Sequence, residues 1–312
     1  MEWTNGAHEW HLKCFHETGN NDDKKQLQPM KKNMITLMTL LLCSFPMTGC
    51  KEDGPSKIIE STTTAQDTSL VLPGWKLVWN DEFNGSFVDS GKWGYEVNGN
   101  GGGNNELQYY TEGFENSYVD SGALTIVAKK QAYQGKQYTS ARMRSKYKGD
   151  WTYGHFEIRA KLPFGKGTWP AIWMLPTDWE YGGWPASGEI DIMEHVGYDQ
   201  NVIHGSTHCQ KYYFKIGTQK SGTVKIANAS TDFHTYAIDW YADRIDFFVD
   251  GTKYFTSWND GSGWQGWPFN KRFHFILNIA VGGDWGGAQG IDNSIFPQKM
   301  VIDYVRVYEK TN

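Results

Sequence analysis

Gly154-His-Phe-Glu-Ile-Arg-Ala-Lys-Leu162 alternates apolar and polar side chains without a break. Successive side chains of a strand point to opposite faces, so a period of two describes a strand with one buried side, whereas a helix would need apolar residues three and four apart. The same rhythm runs through Ala123-Leu-Thr-Ile-Val-Ala128 and Met300-Val-Ile-Asp-Tyr-Val-Arg-Val-Tyr308. Between Phe233 and Phe255 two more such runs flank Asp250-Gly251, a pair suited to the tight turn of a hairpin. Past residue 73 there is no long helical stripe, no internal repeat and no break in composition. Many short strands separated by Gly, Asn and Asp predict one all-β domain over 73–312, a two-sheet antiparallel sandwich of jelly-roll type.

The bulk composition narrows the partners. Charged residues make up 21% of the chain and the net charge is −5, so no basic face awaits a nucleic acid or an acidic membrane. With 15 Trp and 35 Gly, the chain has rings enough for both a core and a sugar-stacking surface.

The N-terminal region reads as an address. Met30-Lys-Lys opens a short apolar run from Met34 to Phe45, too short to span a bilayer as a helix, and small residues follow. Its end, Met47-Thr-Gly-Cys50, resembles a bacterial lipobox, in which the cysteine receives lipid and becomes the mature N-terminus. On this reading 1–29 is an extension from a start codon placed too early, 30–49 a lipoprotein signal peptide, and 50–72 a Ser/Thr-rich flexible tether. The expected location is the outer membrane or cell surface, tethered through lipid on Cys50. Lys51-Glu-Asp-Gly54 is similar to the charged export tag of Bacteroidetes lipoproteins. Cys14 and Cys43 are then lost, and Cys209 alone stays in the folded domain, which leaves no structural disulfide.

The chemistry concentrates in Ser187-Gly-Glu-Ile-Asp-Ile-Met-Glu-His-Val196. On a strand Glu189 and Asp191 share one face and Ile190 and Ile192 the other. Glu194 is out of phase and would be buried as an unpaired charge, at a cost of several kcal/mol. One extra residue at Ile192-Met193, a β-bulge, resets the alternation and returns Glu194 to the acidic face. Three carboxyls in a row repel one another and raise at least one pKa, which suits a pair of groups that must act as base and acid.

These residues also carry a resemblance. Gly188-Glu-Ile-Asp-Ile-Met-Glu-His195 and Gly165-Lys-Gly-Thr-Trp-Pro-Ala-Ile-Trp-Met-Leu-Pro176 resemble glycoside hydrolase family 16, in particular its laminarinase-like β-1,3-glucanases. The likeness extends through Asn104-Asn-Glu-Leu-Gln-Tyr-Tyr-Thr111, Tyr138-Thr-Ser-Ala-Arg142, His204-Gly-Ser-Thr-His208 and Asn278-Ile-Ala-Val-Gly-Gly-Asp-Trp285. It implies a concave substrate cleft and retaining endo-hydrolysis of a β-glucan, with Glu189 as nucleophile, Asp191 as its assistant and Glu194 as general acid/base. Trp169 and Trp173, four apart on a strand, share a face, and Trp184 and Trp285 lie in Gly-rich loops. By the resemblance these four belong to the sugar subsites, with Arg142, Asn105 and His208 as hydrogen-bonding partners. No cofactor is expected for catalysis. A structural Ca²⁺ is implied at Glu82, the Gly122 carbonyl and Asp303. The chain is expected to act as a monomer. Hydrolysis of mixed-linkage glucan, agar or carrageenan, transglycosylation, and non-catalytic glucan binding are the competing readings, and the role of the segment from Cys209 to Ala229 is open.

Overall fold

The computed structural model describes residues 70–311; the expected signal peptide, Cys50 and most of the tether lie outside them. Eighteen strands run through the described chain. The first nine are β1 (Trp75–Asp81), β2 (Gly94–Tyr95), β3 (Gln108–Tyr110), β4 (Ser117–Asp120), β5 (Ala123–Tyr133), β6 (Lys136–Ser140), β7 (Arg142–Arg144), β8 (Asp150–Trp151) and β9 (Gly154–Lys161). The rest are β10 (Thr168–Pro176), β11 (Glu189–Glu194), β12 (Val202–His208), β13 (Lys220–Lys225), β14 (His234–Trp240), β15 (Arg244–Val249), β16 (Thr252–Trp258), β17 (Phe273–Val281) and β18 (Gln298–Lys310).

They form two sheets. One follows the order β16-β15-β14-β9-β18-β5-β6-β3, with β1 added on β18 and β4 on β5. The other follows β13-β12-β11-β10-β17-β7-β2, with β8 added on β17. Pairing is antiparallel except between β3 and β6. The alternation expected for β9 is present: Phe156, Ile158 and Ala160 are fully buried while the polar residues between them are not. Asp250 and Gly251 both have positive φ in the turn joining β15 to β16, the geometry a two-residue hairpin loop demands.

The core lies between the sheets. Ile172 and Met174 of β10, Ile190, Ile192 and Met193 of β11, and Phe273, Phe275, Leu277, Ile279 and Val281 of β17 meet Phe156, Ile158, Tyr236, Trp240 and Phe247 of the opposite sheet. Each such side chain contributes about 1.5–3 kcal/mol by leaving water. Strand β17 is buried along its whole length. Its odd-numbered residues face the core, and on the other face Asn278 and Ala280 line the cleft. Cys209 is free and buried.

Candidate active site

The bulge is where the alternation of charges demands one. Along β10, Trp173 faces Asp191 and Ile172 faces Met193, so Ile192 has no opposite number. Along β12, Asp191 faces Ser206 and Glu194 faces His204, two residues of β11 against one of its neighbour. Ile190, Ile192 and Met193 all point into the core, each no more than 1% exposed, and Glu189, Asp191 and Glu194 share the cleft face.

The three acids line a cleft of ≈ 620 Å³ on the face of the sheet away from the core. Each is tied to a different group. The Trp184 indole N–H donates to Glu189 Oε2 at 2.8 Å, and the Trp169 indole N–H donates to Glu194 Oε1 at 3.0 Å. Between them, Ser206 Oγ donates to Asp191 Oδ2 at 3.1 Å. His208 Nε2 lies 3.2 Å from Asp191 Oδ2 and 3.9 Å from Glu189 Oε1.

Burial and mutual repulsion shape the protonation. Burial and the Asp191 carboxylate push Glu189 up to about 8, and burial lifts Asp191 to about 7. Glu194 is raised well above the usual carboxylate range by burial and then by both other acids. The row therefore holds protons near neutrality. His208, the Trp184 N–H and Arg142 all favour the anion at Glu189, whereas Glu194 feels two carboxylates and has only His208 and the Trp169 N–H in its favour. The last proton belongs on Glu194, and the charge on Glu189.

Of the other residues expected in the cleft, Trp169, Trp173, Trp184, His208, Arg142 and Trp285 line it. Asn105 does not. Its φ of 57° turns the residue outward, and its side-chain amide donates to Asp284 Oδ1 at 2.8 Å; Asn104 lines the cleft instead. Arg142 is held by Glu96 at 2.9 Å and lies 4.7 Å from the Trp173 ring centre.

At the expected calcium positions the two carboxylates have arginine partners. Arg306 grips Glu82 through two hydrogen bonds of 2.9 and 2.8 Å, and Asp303 pairs with Arg159. Both carboxylates are thus neutralised by guanidinium groups, and Gly122 sits in the turn between β4 and β5. Among the described residues, Glu189, Asp191 and His208 form the group of three acid and histidine side chains whose donor atoms lie within 4.8 Å of one another. An ion there would occupy the carboxylate that the chemistry needs free.

Sequence reasoning missed two parts of the site. One is a buried polar chain beneath Trp173. The Trp173 N–H donates to Asn278 Oδ1 at 2.7 Å, the Asn278 amide to Tyr110 Oη at 3.1 Å, and the Tyr110 hydroxyl to Glu106 Oε2 at 3.1 Å, which also accepts from Gln108 at 2.7 Å. The dense polar run Asn104 to Thr111 was its visible signal. The other is the segment after Cys209, which supplies Phe214, Lys215, Gln219 and Ser221 to the cleft wall.

The sequence profile described as "Glycosyl hydrolases family 16" matches residues 104–306. A beta-glucanase of Rhodothermus marinus is 50% identical over 262 residues, covering 81% of this chain and 92% of the relative. The X-ray structure of the laminarinase from Rhodothermus marinus superposes with a TM-score of 0.76 at 50% identity, covering 78% of this chain and 100% of that one. A non-specific endo-beta-1,3(4)-glucanase from family GH16, co-crystallised with 1,3-beta-D-cellotriosyl-glucose, has a TM-score of 0.74 at 45% identity, covering 77% of this chain and 96% of that one.

Proposed function

The chain belongs to glycosyl hydrolase family 16, and from that premise we propose that it cleaves internal β-1,3 linkages of a laminarin-like glucan with retention of anomeric configuration. The observation that carries this reading is the placement of Glu189 and Glu194 on one cleft face, on either side of Asp191, each receiving an indole N–H. Glu189 attacks the anomeric carbon from the α face. Glu194 gives its proton to the departing glycosidic oxygen as the C–O bond breaks, leaving a glycosyl ester on Glu189. Glu194, now ionised, takes a proton from water, and the resulting hydroxide displaces Glu189 to release a β-configured product. Asp191, held by Ser206 and beside His208, couples the two titrations.

A neutral glucan fits the lining. The cations on the cleft wall are Arg142, already paired with Glu96, and Lys215, set over the Trp184 ring. A desolvated sulfate would need a free Arg or Lys of its own. Trp285 presents its ring beside Trp169, 5.4 Å away, and His204, 4.9 Å away. Product analysis on laminarin, mixed-linkage glucan, agarose and carrageenan with one preparation tests the assignment. Turnover should be highest on laminarin and little changed by moderate salt, since the substrate has few charges to screen. On laminarin, Trp285→Ala should weaken binding by about 1–2 kcal/mol, the loss of one aromatic stacking contact. Faster turnover on agarose or carrageenan would overturn the substrate and leave the carboxylate chemistry standing.

We also propose that the protein is exported and anchored through lipid on Cys50, on the strength of the Met30 to Cys50 pattern. Expressed from Met30 in a bacterium with lipoprotein processing, it should take up labelled fatty acid, and Cys50→Ala should abolish the label. Unchanged labelling of that variant would refute the anchor.

A further inference from the structure

Glu189 owes one hydrogen bond to Trp184, so whatever holds that indole also holds the nucleophile. Trp184 lies in the loop between β10 and β11, away from the core; its ring neighbours are His208 of β12, 6.4 Å away, and a single turn of the chain on the far side of β12. Tyr213 meets the indole edge to face at 5.6 Å and 88°. Phe214 packs on it at 5.6 Å and 47°. The Lys215 ammonium lies 5.3 Å from its ring centre. Phe214 also meets His208, the other neighbour of Glu189, edge to face at 5.9 Å. Three consecutive residues thus pack on one ring.

The turn is itself firmly held. Phe214–Ile216 forms one turn of 3-10 helix, closed by Gly217 at φ 67, whose N–H donates to the Phe214 carbonyl at 2.9 Å. Thr218 N–H donates to the Tyr213 carbonyl, and the Thr218 hydroxyl to that of Lys211. Below it, Cys209 and Tyr212 exchange two backbone hydrogen bonds, and the Lys211 ammonium and Tyr212 hydroxyl both donate to Asp260. Phe214 is 41% exposed, so core packing is not the reason for an aromatic ring there.

We propose that the turn at 213–217 is a positioning device that holds the Trp184 indole in hydrogen-bonding register with Glu189; the inference rests on the reading of Glu189 as nucleophile. Tyr213 and Phe214 act through Trp184 and are positioning residues. A ring free to tilt carries its N–H away from Glu189 Oε2, which removes a stabiliser of the carboxylate and loosens its aim at the anomeric carbon. Lys215, Asp191, Glu194, His208 and Arg142 are the other charged or titratable groups around this corner, and none of them changes in the variants below.

The test is a double-mutant cycle read in the pH dependence of kcat/KM, whose acidic limb reports the ionisation of the free enzyme's nucleophile. The substrate is an aryl β-glycoside of a β-1,3-linked glucobiose. Phe214→Ala should lower kcat on the order of tenfold and move the acidic limb upward by about one pH unit, the worth of one hydrogen bond to a carboxylate. Phe214→Tyr should restore both. Trp184→Phe keeps a ring and deletes the N–H, so it should move the limb by itself, and adding Phe214→Ala to it should move the limb no further. The inference is overturned if Phe214→Ala raises KM with the limb unmoved, as a sugar-stacking wall would behave, or if the two substitutions shift the limb additively. If Trp184→Phe leaves the limb in place, the premise that Glu189 is the ionising nucleophile fails, and the positioning role falls with it.

Discussion

Glu189→Ala and Glu194→Ala should each lower kcat on laminarin by roughly 10⁴-fold or more, a loss of about 5 kcal/mol of transition-state stabilisation. Neither should unfold the protein. Both side chains face the cleft, and each belongs to a row of carboxyls that repel one another. Removing one relieves a strain that the fold sustains for the sake of chemistry. The pH dependence gives this a sign. The folded-state pKa of Glu189, about 8, lies above its unfolded value, so between about 4.5 and 8 the folded state binds more protons than the unfolded one. Wild-type stability from this group is present at low pH and is lost as pH rises through that window. Melting curves should therefore show the Glu189→Ala variant gaining on the wild type from pH 5 to pH 8; a variant that instead loses ground with rising pH would mean that the carboxyl is stabilised as an anion.

The second large effect concerns the bulge. Inserting one alanine between Met193 and Glu194 makes the separation of the two glutamates even: with the bulge kept, the second glutamate turns towards the core side occupied by Ile190, Ile192 and Met193, and with the bulge lost to regular alternation it returns to the cleft face about 6.6 Å too far along the strand, with Met193 between it and Asp191. The first arrangement buries an unpaired carboxylate at about 3–5 kcal/mol, against a total stability of about 5–15 kcal/mol, and the second carries the acid/base out of reach of the departing oxygen, so the variant should be inactive in either case. Deleting Ile192 is the informative opposite. The strand becomes regular, and all three acids remain on one face with Met193 taking the inward position. Losing the isoleucine costs on the order of 2–5 kcal/mol, but the protein should fold and retain more activity than Glu194→Ala. Full activity in the insertion variant would show that the bulge does not set the direction of Glu194.

Much of this was legible in sequence because alternation is a direct record of which face is buried. Strand β9 announces itself, and the parity conflict at Glu194 locates the bulge to within a residue. Strand β17, Phe-His-Phe-Ile-Leu-Asn-Ile-Ala-Val, carries a weaker signature because both of its faces are covered, one by the core and one by the polar chain under Trp173. The indole donors to the acids were invisible for a different reason. Trp169 reaches Glu194 only because Ala171 pairs with it across β10 and β11, and Trp184 reaches Glu189 through a loop whose path no periodicity encodes. Asn105, assigned to the cleft by the resemblance, has a positive φ and bonds Asp284, a backbone conformation that the polar run around it does not encode. The arginines beside the expected calcium ligands, Arg306 at Glu82 and Arg159 at Asp303, come from distant parts of the chain and leave no local trace in the sequence.

The most direct test of the central claim is the stereochemistry of azide rescue on the same aryl glycoside. With Glu189 replaced by alanine, azide can enter the vacated α side and should give an α-glycosyl azide. With Glu194 replaced, the activated aryl group still departs, the ester on Glu189 forms, and azide attacking it from the β side should give a β-glycosyl azide. The opposite pairing of variant and anomer would contradict the assignment of nucleophile and acid/base made here.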